Sequence, residues 1–395
     1  MTTTLSAAPT TDALMGVYRK PPMELVRGAG VELFDADGKG YLDFVAGIAV
    51  NALGYGDAGL ERAFRDAMEG AIVHTSNLYR TSAGERLAER LVALSFADRV
   101  FFCNSGAEAN EGAFKLARRW GRAQGGAAKH EILALRGGFH GRLFGTLAAT
   151  DRPQYRAPFR PLAGGISIAE RDLDELDAAL NPETVTAVIA EPVQGEGGVR
   201  VLDAKFLQDL RALTRERGVL LILDEIQCGY GRTGKLWAHE HANVTPDIMT
   251  VAKPMAGGLP MGAILATREV ADTMQPGDHG TTFGGGPFVS TVALHVLERL
   301  SDPAMLKHVR ERGAQMKKGL DAIAKGSPKV RAIRGAGLMW GIDVSEPAKD
   351  IVARAMDAGL LICSAGEHTL RLLPPLVVTK GDVDRGLALL RQAIG

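Results

Sequence analysis

Lys253 stands where an apolar run stops and a Pro/Gly-rich turn begins, in Ile248-Met-Thr-Val-Ala-Lys-Pro-Met-Ala-Gly-Gly-Leu-Pro260. A lysine partly withdrawn from water loses basicity and becomes a nucleophile toward an aldehyde. Taken alone, the same lysine reads more simply as a loop residue pointing into solvent. Other short apolar runs end in equally pointed clusters. Asn104-Ser-Gly-Ala-Glu-Ala-Asn110 leads into a helical pattern, so its N–H groups can hold a phosphate or merely cap the helix. Arg136-Gly-Gly-Phe-His-Gly-Arg142 offers an aromatic and a histidine to a flat ring, and a guanidinium to a carboxylate. Glu191-Pro-Val-Gln-Gly-Glu-Gly-Gly198 carries two acids and an amide on a glycine-rich loop. Asp224-Glu-Ile-Gln-Cys-Gly-Tyr-Gly-Arg-Thr-Gly234 puts a carboxylate at the mouth of a buried run, where it is costly unless paired. Such an Asp can hold a cation, a protonated ring nitrogen or a helix end. No His or Asp at ligand spacing accompanies it, so a metal ranks low. Gly280-Thr281-Thr282-Phe-Gly-Gly-Gly286 presents two hydroxyls on a glycine loop.

None of these clusters is decisive alone. Together they supply a phosphate cradle, a ring-stacking aromatic, a strand-end Asp and a nucleophilic Lys. Pyridoxal 5′-phosphate (PLP) needs all four: the Lys forms the Schiff base, and the Asp keeps the pyridine nitrogen protonated so that the ring accepts electrons.

The clusters need a sheet to bring them together. Val100–Cys103, Ile132–Leu135, Thr186–Ala190, Val219–Leu223, Ile248–Val251 and Ala263–Ala266 are apolar without alternation. That is the pattern of a parallel sheet covered on both faces. Amphipathic helices fall between them. One shows Ala113, Leu116, Ala117 and Trp120 on one face, and another runs over 203–217 with Asp203 as N-cap and Gly218 as its stop. This rhythm predicts a doubly wound α/β domain, whose ligands sit beyond the carboxyl ends of the strands. Val31–Phe34 and Tyr41–Val45 flank Asp35-Ala-Asp-Gly-Lys-Gly40 as a hairpin, and helices and strands after Phe288 predict a smaller α+β domain. The expected division is a tail over 1–13, an N-terminal segment over 14–52 packing with the small domain, a large domain over 53–288 and a small C-terminal domain over 289–395.

With 46 basic and 46 acidic residues the formal net charge is zero, so no nucleic-acid or membrane-surface partner is expected. Three cysteines, far apart and odd in number, argue against a disulfide framework and for a reducing, cytoplasmic setting. The N-terminus resembles neither a secretory signal nor an Arg-rich transit peptide.

From about Val17 onward the chain resembles the class III (fold type I) PLP-dependent aminotransferases, and most closely their acetylornithine branch. The resemblance rests on Tyr41-Leu-Asp-Phe-Val-Ala-Gly-Ile-Ala-Val50, His74-Thr-Ser-Asn-Leu-Tyr79, the 104–110, 139–142, 191–198 and 223–234 stretches, and Arg371 in Leu370-Arg-Leu-Leu-Pro. It implies the fold-type-I architecture, with Lys253 as the cofactor lysine and proton carrier, and Asp224 on the pyridinium. It implies Gln227 near the ring hydroxyl, Phe139 on the ring face, and Ser105, Gly106 and Ala107 on the phosphate. Thr282 of the other subunit would help, so the resemblance implies a homodimer with shared sites. Substrate contacts would come from Tyr18, Arg142, Glu196, Thr281 and Arg371. Arg142 would take the distal carboxylate of 2-oxoglutarate and Arg371 its α-carboxylate, with Glu196 covering Arg371 when the donor is bound. The family pattern changes at Tyr55-Gly-Asp-Ala-Gly59, Pro254-Met-Ala256, Ala107 and Gly286.

The expected reaction moves the ω-amino group of N²-acetylornithine to 2-oxoglutarate in two half-reactions, a step of arginine biosynthesis. Succinylornithine, ornithine, 4-aminobutyrate and acylated lysines are alternative donors. An aminomutase or racemase would need no external keto acid, and a binding or scaffold protein would not need Lys253.

Overall fold

The computed structural model describes residues 13–18 and 21–395. The expected tail, apart from Ala13, lies outside the described residues.

A seven-stranded sheet organises the centre of the chain. Its strands are β1 (Arg99–Cys103), β2 (Glu131–Leu135), β3 (Ile166–Ala169), β4 (Val185–Ala190), β5 (Leu220–Asp224), β6 (Ile248–Val251) and β7 (Gly262–Ala266). Across the sheet they run β1-β7-β6-β5-β4-β2-β3. The strands from β6 to β3 pair in parallel. β7 runs antiparallel to both of its neighbours. The apolar run at 263–266 was expected as one more covered strand, and its reversal is invisible in composition because it too is buried on both faces. The strand at Ile166–Ala169 escaped the sequence reading; it pairs on one side only, at the sheet edge, and Ser167 is exposed.

Alternate residues of each central strand enter different cores, which is why no polar alternation marks them. Ile132, Ala134, Ala187, Ile189 and Ile222 pack with helix α1 (Gly106–Gly125). Leu133, Leu135, Val188, Leu221 and Leu223 pack with helix α2 (Ala204–Glu216). Helix α1 lies close to the sheet: Thr186 Oγ1 donates to the Ala117 carbonyl at 2.7 Å. A Cβ on Gly121 would stand 2.4 Å from both the Lys129 carbonyl and Thr186 Oγ1. Helix α2 begins at Asp203, whose side chain accepts from the Lys205 and Phe206 N–H groups.

The expected hairpin forms between Glu32–Asp35 and Gly40–Asp43, its turn tied by Asp35 Oδ1, which accepts from the Asp37 and Lys39 N–H groups. Residues 25–29 add a third strand on one side, and Leu360–Leu361 adds a parallel strand on the other. The chain's two ends are therefore hydrogen-bonded into one sheet. A second sheet, of order 330–336, 339–344, 369–372 and 363–364, is antiparallel. It carries Arg371 toward the carboxyl edge of the large sheet. No helix among the described residues is long and apolar enough to cross a membrane.

Candidate active site

Parallel strands end on the same edge of a sheet, so the residues that follow β1, β2, β4, β5 and β6 are gathered there. They line a cavity of about 430 Å³. Ser105, Gly106 and Ala107 come to it from β1, Phe139 and Arg142 from β2, and Glu191 and Glu196 from β4. Asp224 and Gln227 come from β5, and Lys253 from β6.

At one end stands the N-terminus of α1. Ser105 is the N-cap and accepts from the Glu108 N–H at 3.2 Å. Gly106 is needed for this approach, because a Cβ there would lie 2.8 Å from the Ile226 side chain. The positive end of a long helix with free N–H groups suits a phosphate.

Asp224 is buried and fixed. Its Oδ2 accepts from Asn110 Nδ2 at 2.8 Å and lies 2.8 Å from His140 Nδ1, and its Oδ1 accepts from the Ile226 N–H at 3.1 Å. Asn110 is held in turn, donating to the His140 carbonyl at 2.8 Å and accepting from Thr250 Oγ1 at 2.7 Å. Sequence reading offered His140 as a ring-stacking partner. Its side chain is instead buried against Asp224, which leaves Phe139 as the aromatic in that stretch. Asn110 carried no functional expectation, although a buried amide inside a helix is a signal: Asn is a poor helix former and needs partners when dry.

Lys253 follows β6, and its ammonium makes no hydrogen bond to another described residue. Burial lowers its pKa from the ordinary lysine value, and nearby Arg371 lowers it further, against the pull of Glu196, Asp224 and Glu191. The same side chain would be costly to bury as a permanent cation, but it suits a nucleophilic amine. Glu191 has its carboxyl pushed up to about 7, chiefly by burial. Its oxygens accept from the Phe139 N–H at 2.8 Å and the Gly195 N–H at 3.2 Å.

Arg371 is buried. Its Nη1 donates to Glu196 Oε1 at 2.6 Å and to Gln227 Oε1 at 3.3 Å, and its Nε to Cys363 Sγ at 3.4 Å. Burial works against its charge, but Cys363 and Glu196 outweigh it and raise the pKa. Arg142 lies exposed at the rim, its guanidinium 3.6 Å from the Tyr155 ring centroid.

Arg371 does not line the cavity itself but bonds Glu196 and Gln227, which do. Three further candidate residues stand apart from it. Thr281 and Thr282 line another groove, with Ser76, Asn77, Tyr79 and Arg80. That groove backs onto the site, since Asn104 Nδ2 donates to Thr281 Oγ1 at 3.2 Å and Asn77 Nδ2 to the Thr281 carbonyl at 2.8 Å. Tyr18 is 88% exposed. Tyr55, one of the changed positions, donates its hydroxyl to Asp43 Oδ2 at 2.5 Å, and Asp43 also caps the Val45 and Ala46 N–H groups. The turn at 46–49 that follows has positive φ throughout and leads to Val50 on the cavity wall.

The donor set fits PLP: a helix end for the phosphate, an aromatic for the ring face, a fixed carboxylate and an amine of lowered basicity border one cavity of suitable size. Gln227, bound to Arg371, borders the same space.

Comparisons with known proteins agree with this chemistry. A family model described as aminotransferase class-III matches residues 16–394. The acetylornithine aminotransferase of Gloeobacter violaceus is 45% identical over 380 residues, spanning 95% of this chain and 94% of that protein. That of Mycobacterium tuberculosis is 43% identical over 391 residues, spanning 97% and 95%. Among solved structures, the N-acetylornithine aminotransferase of Stenotrophomonas maltophilia is 37% identical, with a TM-score of 0.83 over 95% of this chain and 96% of that one. The ornithine aminotransferase of Toxoplasma gondii is 29% identical, with a TM-score of 0.93 over 97% and 92%.

Proposed function

The chain belongs to the class-III aminotransferases, and from that premise we propose that it transfers the ω-amino group of N²-acetylornithine to 2-oxoglutarate, using PLP, within arginine biosynthesis. When bound, the cofactor supplies an aldehyde that takes up the amino group and a ring that accepts electrons from the substrate carbon.

The protein's own residues orient and move protons around that chemistry. Lys253 Nζ would hold the cofactor covalently and then carry a proton at the substrate's amino-bearing carbon. Asp224, fixed by Asn110 and the Ile226 N–H, would keep the proton on the ring nitrogen. Phe139 would cover one ring face. Gln227 would stand by the ring hydroxyl, and Ser105, Gly106 and Ala107 would hold the phosphate. Thr282 would reach that phosphate from the partner subunit of a homodimer. Tyr18 and Thr281 would meet the substrate, and the cytoplasm is the proposed setting.

The Arg371–Glu196 pair, at 2.6 Å, is the single observation that carries the two-substrate reading. A buried guanidinium left unpaired is costly. Glu196 covers it while the donor presents only its chain and amine. The α-carboxylate of 2-oxoglutarate takes Glu196's place, with Arg142 on the distal carboxylate. Neither an aminomutase nor a racemase requires such an exchange.

The test is a donor panel with 2-oxoglutarate: N²-acetylornithine should exceed ornithine and 4-aminobutyrate in kcat/KM by at least about tenfold, which is ~1.4 kcal/mol of discrimination. Equal values would end the substrate assignment. Borohydride reduction of the holoenzyme should modify Lys253, and an unmodified Lys253 would end the cofactor assignment.

A further inference from the structure

Two loops meet at the carboxyl edge of the sheet. Residues 136–139 follow β2 and carry Phe139; residues 194–197 carry Glu196. The second is Gly195-Glu196-Gly197-Gly198, a run with few conformational restraints of its own and a high entropy cost of ordering. Two side chains join the loops. Glu191 spends one oxygen on the Phe139 N–H at 2.8 Å and the other on the Gly195 N–H at 3.2 Å. Gln194 Nε2 donates to the Arg136 carbonyl at 3.0 Å. Glu191 is 5% exposed and Gln194 is 0%. Between these ties the backbones nearly touch, for a Cβ on Gly197 would stand 2.6 Å from the Gly137 carbonyl oxygen. Placing a second carboxylate beside Asp224 works against burial, and the substrate chemistry gives it no task. Its two bonds to two separate loops do.

We propose that Glu191 and Gln194 form a clasp that locks the loop carrying Glu196 to the loop carrying Phe139, so that Glu196 leaves Arg371 by rotating its side chain over a fixed backbone. This rests on the reading of Glu196–Arg371 as the dicarboxylate switch. Glu191 and Gln194 are then positioning residues. The clasp keeps Phe139 still while Glu196 swings, and it brings Glu196 back to the same place after each turnover.

The experiment compares the holoenzyme with Glu191→Gln and Gln194→Leu, following both half-reactions by the cofactor's absorbance. Glu191→Gln turns an NH₂ group toward one of the two N–H donors, leaving a buried donor unpaired. That loss is large enough to change a rate by about tenfold. The ratio of kcat/KM for glutamate to that for acetylornithine should fall by about tenfold in Glu191→Gln, and in the same direction in Gln194→Leu, because only the dicarboxylate half needs Glu196 to move. A ratio within twofold of wild type in both variants, with or without a lower Tm, would overturn the clasp. Amide exchange in the wild-type holoenzyme decides the case should the variants misfold. The Phe139 and Gly195 amides should be protected, and exchange as fast as in the exposed 277–280 loop would also overturn it. A wild type that fails to turn over glutamate would sink the switch reading itself, and the clasp's role with it. Normal turnover with an unchanged ratio sinks the clasp alone.

Discussion

The Asp224 carboxylate takes bonds from Asn110 Nδ2 and the Ile226 N–H and lies against His140 Nδ1. A carboxylate this dry is stable only when its oxygens are occupied. Such occupation also fixes its orientation, which the proposed task of holding one ring proton would require. Arg371 obeys the same rule with a different outcome. Its partners are Cys363, Gln227 and Glu196, and Glu196 is the carboxylate among them, a removable counter-charge. Glu196→Ala should therefore leave Arg371 open to carboxylates in both half-reactions. We expect glutamate kcat/KM to hold or rise and acetylornithine kcat/KM to drop by about tenfold or more, the scale of losing a charged hydrogen bond. Stopped-flow half-reactions check this, and equal changes in both halves would refute the switch. That Lys253 and Asp224 would meet at one cavity was legible from their places at the ends of apolar runs. Cys363 beside Arg371 was not, because their pairing is made by neighbouring strands rather than by spacing along the chain.

Helix α1 links the end of the cavity proposed for the phosphate to Asp224. Its first turn offers Ser105, Gly106 and Ala107, and one turn later it sends Asn110 to the Asp224 carboxylate. Its position is set near its other end by Gly121, which lets the helix settle against Thr186 and Lys129. Gly121→Ala should improve helix propensity but force the helix away from the sheet. Overpacking of this kind costs about 1–3 kcal/mol. A urea melt should show a lower midpoint with an unchanged slope, and holoenzyme formation should weaken because both Ser105 and Asn110 ride on the same helix. An unchanged midpoint would show that the contact relaxes freely. The helix itself was readable from its apolar stripe and its Ser-Gly start. The closeness of its approach was not, since it depends on what lies opposite each glycine. The reversed direction of β7 was hidden for a similar reason: direction leaves no mark on a strand whose two faces are both buried.

At the scale of the whole chain, one large apolar core runs from Leu42 and Phe44 through Met249 and Val251 to Leu370 and Leu390. The N-terminal and C-terminal parts of the chain are joined by Leu42–Leu360 pairing and by the Leu373 N–H donating to the Phe44 carbonyl at 2.7 Å. This frame carries Arg371 to a cavity built from strands more than a hundred residues earlier. Thr281 and Thr282 lie outside that cavity, in the groove with Tyr79 and Arg80. A homodimer would give them a site to serve. Analytical ultracentrifugation should return twice the 41.9 kDa mass of one chain for the holoenzyme, and Thr282→Ala should weaken PLP retention without lowering that mass. A 41.9 kDa active species would rule the shared site out.

The sequence by itself determined the chemistry, because reactive residue types recur at the ends of apolar runs and parallel strands must end together. It also determined the sheet's buried strands and the capped helices, which follow from local pattern and local hydrogen bonds. Only the tertiary structure decided which groups occupy one another. It turned His140 toward Asp224 instead of the ring, set Glu191 between two loops and Cys363 beside Arg371, and placed Thr281 and Thr282 outside the cavity. Those outcomes depend on distances between segments far apart in the chain, and no local pattern encodes such distances.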